Sequence, residues 1–159
     1  MNRWIKRGLL GGVGALLVAQ AVPYGRDHSN PPVTGEPAWP SARVRELADR
    51  ACFDCHSHAT RWPWYSHVAP MSWLVQRDVD QGRRRLDFSA WDRPQRGAHE
   101  AAEEVEKGEM PPWFYLPLHA EARLSDAEKA ELIAGLKALP PPPGSSRSEE
   151  REHGRGRDR

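Results

Sequence analysis

The apolar and polar positions divide this chain into one uniform apolar run, several stretches with helical spacing, and proline-rich gaps between them. The apolar run extends from Gly8 to Val22 and follows a basic cluster of Arg3, Lys6 and Arg7. Ser41 is placed to cap a first domain helix, with Val44, Leu47, Ala48 and Ala51 on one face, and this helix runs directly into Cys52. Pro70-Met71-Ser72 opens a second helix that reaches about Arg84, and Arg83-Arg84-Arg85 reads as a solvated end carrying cations near a helix C-terminus. A third helix is predicted from Pro94 to Lys107, with Ala98, Ala101, Ala102 and Val105 inward and Gly108 as its stop. The last begins at the capping box Ser125-Asp126-Ala127-Glu128, carries the stripe Leu132, Ile133, Leu136 and Leu139, and ends at the prolines from Pro140.

The gaps have their own character. Residues 23–40 hold Pro23, Pro31, Pro32, Pro37 and Pro40 and predict an extended linker or a strap across the domain. Thr60-Arg61-Trp62-Pro63-Trp64-Tyr65 is an aromatic loop, Leu86 to Trp91 is irregular, and the Arg-, Glu-, Ser- and Gly-rich tail after Gly144 predicts disorder. The chain therefore divides into residues 1–22, a strap at 23–40, a domain at 41–139 and a tail at 140–159. Its fold class is all-α, with helices joined by Pro-rich loops.

Composition supports that division. Prolines number 15 and tryptophans 7, and β-branched residues are few, which suits helices and loops better than a sheet. The formal net charge of +1 provides no basic excess for binding nucleic acid. The basic cluster, the apolar run and the small-x-small pattern Ala19-Gln20-Ala21 together predict an exported protein. The run is short for a bilayer span of about 20 residues, and Val22-Pro23 is a poor start for a mature chain, so cleaved signal peptide and retained anchor both stay open.

The candidate chemistry lies in Cys52-Phe53-Asp54-Cys55-His56, which holds the only two cysteines of the chain. Two thiols at this spacing can add to the two vinyl groups of a porphyrin, and the following imidazole can then bind iron on the proximal side. A thioredoxin-like pair should follow a strand in a βαβ pattern, which is lacking here, and a zinc site needs two further ligands. One covalent haem c on Cys52 and Cys55, with His56 as the proximal ligand, accounts best for the motif. The rings of Trp62 and Trp64 become candidates to line its pocket, and Arg61 and Ser66 to meet a propionate.

On Cys52 to His58, Thr60 to Ser66, Pro70 to Leu74, Phe88 to Trp91, Gly108 to Pro112 and His119 to Leu136, the chain resembles the bacterial haem-binding-domain family of exported monohaem proteins. The resemblance covers roughly residues 22–139 and implies a cytochrome c-like helical domain whose first and last helices pack together around the haem. It also implies a Met-Pro pair ahead of the last helix as the usual distal ligand, which here is Met110-Pro111. Met71, which also follows a proline, is the rival, and a histidine or an open sixth position is the remaining choice. His58 is too close to His56 to reach around the ring. His67, His99 and His119 read as partly exposed surface groups, His153 belongs to the tail, and His28 has no assigned role. A Met ligand suits an electron carrier in the periplasm, soluble or held at the outer face of the cytoplasmic membrane, that meets redox partner proteins transiently. An open site would instead suit a haem sensor or a peroxidase-like enzyme.

Overall fold

A computed structural model describes residues 2–144. It is all-α. Six helices are present among the described residues: α1 (Arg3–Ala19), α2 (Ala42–Ala51), α3 (Phe53–His56), α4 (Met71–Arg85), α5 (Ala101–Glu106) and α6 (Asp126–Lys137), with 3-10 turns at Trp64–His67 and Ala120–Ala122. The extended chain contributes only an isolated bridge between Gly35 and Ala90.

The helix ends follow their caps. Ser41 accepts from the Val44 amide at 3.1 Å and starts α2. Ser125 and Glu128 form the reciprocal capping box at the start of α6. The two helices are then joined by Glu128, which receives Arg43 at 2.9 Å and Arg50 at 2.7 Å. Leu47 and Leu132 lie fully buried in a core shared with Val44, Phe53, Phe88, Val105 and Leu136. Trp39, Phe53, Phe88 and Trp91 form its aromatic centre, with ring centroids 5.2–5.9 Å apart.

The helix of Ser41 runs up to Ala51, directly before the motif, as expected; Cys52 then leaves helical geometry (φ −127°), and Phe53–His56 forms a separate turn whose Cys55 and His56 amides bond the Cys52 carbonyl. Two local expectations change in the folded molecule. The third helix starts at Ala101 instead of Pro94. Residues 95–97 are held by tertiary bonds, since the buried Gln95 side chain accepts from Asp87 N and donates to Ala90 O, and Gly97 N bonds Arg85 O. Arg83 is a clamp and not a solvated end. Its guanidinium donates to Ser57 O at 2.8 Å, Thr60 Oγ1 at 2.9 Å and Asn30 Oδ1 at 3.1 Å.

Residues 23–40 lie along the domain surface, with Thr34 and Gly35 amides donating to Ser89 O and Trp91 N donating to Gly35 O. No residue of α1 is buried, and no described helix is long and apolar enough to cross a membrane. Just past α1, the Gln20 amide group grips the Ala69 backbone, donating to its carbonyl at 2.9 Å and accepting from its N–H at 3.0 Å.

Candidate haem site

Cys52 and the turn of α3 bring both thiols and His56 to the wall of one largely apolar cavity rimmed by charged side chains. A main lobe of about 310 Å³ is bounded by Cys52, Cys55, His56, Gly82, Met110 and Tyr115. A smaller lobe of about 60 Å³ lies between Leu86, Phe88, Val105 and Leu136. Ala51, Cys52, His56, Arg85 and Met110 line both lobes, so the two adjoin along a shared wall.

Each side chain is set by its neighbours. Leu86 O accepts from His56 Nδ1 at 2.9 Å, and since a carbonyl can only accept, the proton of the neutral ring is on Nδ1. Nε2 then keeps its lone pair, which a metal needs, and the carbonyl fixes the ring's direction. Burial holds the His56 imidazole below its ordinary pKa and favours that neutral form. Both cysteines are free, and burial pushes each thiol up to about 12. Neither is the low-pKa thiolate of a redox-active pair at neutral pH. α4 passes close behind the motif: a side chain at Gly82 would collide with the Cys55 carbonyl oxygen.

Met110 reaches the recess from the loop after α5. Gly108 takes a left-handed conformation (φ 76°) that ends the helix, and the Glu109 and Met110 amides both return to Glu104 O, at 3.0 and 3.1 Å. Met110 is partly buried against the core. Met71 opens α4 elsewhere, 39% exposed, in a cleft with Trp64, Tyr65 and Leu118 that does not include His56.

Other residues singled out in the sequence also lie away from the recess. Arg61 bonds Asp54 Oδ1 at 3.1 Å and Asp49 Oδ2 at 3.3 Å, and Ser66 donates to Pro63 O at 2.6 Å. Trp64 is 79% exposed. Trp62 stacks on His28 with centroids 4.6 Å apart, and His67 meets His28 edge-on at 4.3 Å. His58 bridges Asp87 Oδ2 and Pro32 O, at 2.9 and 2.8 Å. His119 lies flat on Tyr115, His99 is exposed beside Glu100, and His153 lies outside the described residues.

Arg77 and Arg85 are the guanidinium groups that line the main lobe. Arg85 pairs with Glu100 at 2.6 Å, and Arg77 makes no ion pair among the described residues. Either can face a porphyrin carboxylate. Neither stands out in the sequence, because a surface arginine on α4 reads like any other; the alternation of Arg77, Gln81 and Arg85 at single-turn spacing is the signal that would have shown it.

A family model described as a haem-binding domain matches residues 14–138. The chain belongs to the haem-binding-domain family. This haem-binding domain thus has haem as its cofactor, and the recess gathers groups that could hold it: an imidazole with a free Nε2, a thioether, two free thiols and walls of mixed apolar and charged side chains. Among the described residues, no three His, Cys, Asp or Glu side chains gather as ligands for a bare metal ion. No curated protein and no solved structure matches the chain.

Proposed function

We propose that this protein is an exported monohaem c-type cytochrome that carries single electrons between partner proteins. Its haem would be joined through thioether bonds to Cys52 and Cys55, with His56 and Met110 as the side chains that would bind the iron. The observation that carries the proposal is the meeting of all four side chains at one recess, although Met110 is distant from the motif in sequence. Attachment would add each S–H across a vinyl double bond, forming a carbon–sulfur bond while the hydrogen goes to the neighbouring carbon, with no external electron consumed. Held by both His56 and Met110, the iron would be closed to small molecules, and a thioether together with an imidazole would raise its potential, which suits electron transfer.

Export is supported by Arg3, Lys6 and Arg7 in the first turns of α1, ahead of its apolar run, and by the absence of any buried residue in that helix. It places the protein in the periplasm, soluble or attached to the outer face of the cytoplasmic membrane. Partners are redox proteins met transiently, and a net charge of +1 offers nothing for nucleic acid.

The test is spectroscopic. Matured with a cytochrome c assembly system, the protein should keep its colour through denaturation and acid–acetone extraction, and colour lost to the organic layer rejects covalent attachment. The oxidised form should show the weak near-infrared band of sulfur-to-iron charge transfer, absent in Met110→Ala and present in Met71→Ala. A wild type that binds carbon monoxide freely belongs to the sensor or peroxidase-like class instead. Cell fractionation should recover the haem-loaded protein outside the cytoplasm, and its recovery from cytosol rejects export.

A further inference from the structure

The loop that carries Met110 is packed against the core at Met110 itself, and between there and Tyr115 its backbone has few long-range attachments. Pro111 and Pro112 lack backbone donors, Trp113 is 81% exposed and Phe114 is 54% exposed, so neither ring anchors the segment in the core. Beyond the packing of Met110, the two amides that return to Glu104 and the local Tyr115 N–H bond to Pro112 O at 3.0 Å, the side-chain attachment is at the loop's other end. There Tyr115 Oη donates to Asp54 Oδ2 at 2.6 Å.

Asp54 is the residue between Phe53 and Cys55, inside the motif that presents the thiols and His56. It is buried, at 8% exposure, and its other oxygen accepts from Arg61 N at 3.0 Å and Arg61 Nε at 3.1 Å. Both carboxylate oxygens are therefore engaged, and a 2.6 Å bond from a phenol to a carboxylate belongs to the short, charge-assisted kind. The phenol is aimed as well as bonded. The His119 ring lies flat on the Tyr115 ring, with centroids 3.7 Å apart and planes 5° apart, and its Nδ1 bonds Tyr115 O at 3.0 Å. Tyr115, Asp54 and Met110 all line the main lobe. A ring that merely filled space would need no carboxylate partner, and a buried carboxylate is costly unless it is satisfied in this way.

We infer that the Tyr115–Asp54 hydrogen bond is a latch that ties the Met110 loop to the haem-attachment motif, making Tyr115 a positioning residue for the sixth ligand. The inference rests on the assignment of Met110 as that ligand. With the latch closed, the loop holds its thioether over the iron; with it open, the loop swings about the proline pair and the sixth position becomes available. Burial, followed by the bond to Asp54, pushes the Tyr115 hydroxyl far above the usual phenol range, so it remains a donor at any pH a cell maintains.

The experiment uses the full haem-loaded chain and follows cyanide binding to the oxidised protein by stopped flow, beside the near-infrared band. Cyanide must wait for the methionine to leave, so its limiting rate reports how often the loop opens. Tyr115→Phe keeps the ring and its stacking on His119 and removes only the donor. It should raise the limiting rate about tenfold or more, as expected when a hydrogen bond to a charged group is lost, and weaken the band. Asp54→Asn, which keeps an acceptor oxygen, should fall nearer to wild type than Asp54→Ala does. Leu132→Ala, a core change remote from the latch, should lower the melting temperature with no such rise in rate. A Tyr115→Phe protein with wild-type rate and band overturns the latch and leaves Met110 in place as ligand. A rate that rises equally in Leu132→Ala overturns it too, since general loosening would then account for the effect. A wild type without the band overturns the Met110 assignment, and the latch falls with it.

Discussion

His56 shows how much a single backbone contact can decide. The Leu86 carbonyl fixes the imidazole's tautomer and direction, and burial favours the neutral ring, so Nε2, the nitrogen that would bind iron under the proposed function, is prepared in the fold itself. Gly82 decides the other side of the motif by having no side chain. α4 comes against the Cys55 carbonyl there, and a methyl group would push the helix and the thiol-bearing turn apart. Gly82→Ala should lower stability by about 1–3 kcal/mol, the usual cost of overpacking a filled interior. It should also reduce haem incorporated per protein, measured by pyridine haemochrome absorbance against total protein. A variant with full haem loading and unchanged melting temperature would show that the helix has room to move.

At the scale of elements, the first turn of α6 does two things at once. Glu128 completes the capping box and also receives Arg43 and Arg50 from α2, so one carboxylate closes a helix end and joins two helices. The Ser125 backbone N–H, then Arg50, hold its pKa at about 2 against an ordinary 4.5. A carboxylate with a lowered folded-state pKa contributes fully above the unfolded value. That contribution drains as pH falls from 4.5 toward 2, because the unfolded chain takes up the proton first. Urea midpoints measured at pH 6, 4 and 3 should therefore fall more steeply for wild type than for Glu128→Gln. Ser125→Ala removes the cap itself and should cost about 1 kcal/mol at neutral pH.

Over the whole molecule, the chain is tied together by contacts between segments remote in sequence. Arg83 joins α4 to Ser57 and Asn30, Asp87 joins His58 to Arg93, and Gln20 joins the end of α1 to Ala69. The last of these bears on export. Cleavage after Ala21 would remove Gln20 with the leader and leave the buried Ala69 N–H and C=O without the side chain that satisfies both. Hydrogen exchange at the Ala69 amide should be faster in protein that begins at Val22 than in the intact chain, and faster also in Gln20→Ala. Equal protection in all three would show that the clamp adds nothing to the domain.

What the sequence alone determined is local. The cysteine spacing with its following histidine, the caps at Ser41 and Ser125, the extent of α4 and the proline-broken gaps each depend on a few neighbouring residues, and each was legible there. The all-α class followed from those local signals. Tertiary structure decided what lies where. It placed Met110 beside Cys52 and His56 while Met71 went to another cleft, and set Arg77 and Arg85 at the recess while Arg61 turned to Asp54. It also engaged Arg83 inside the molecule and delayed α5 to Ala101 by drawing Gln95 and Gly97 onto the preceding loop. Such outcomes depend on partners tens of residues away, which compete for the same donors and acceptors once the helices pack. A helix cap is satisfied within one turn of chain, whereas the surroundings of a cavity exist only after every wall is in place.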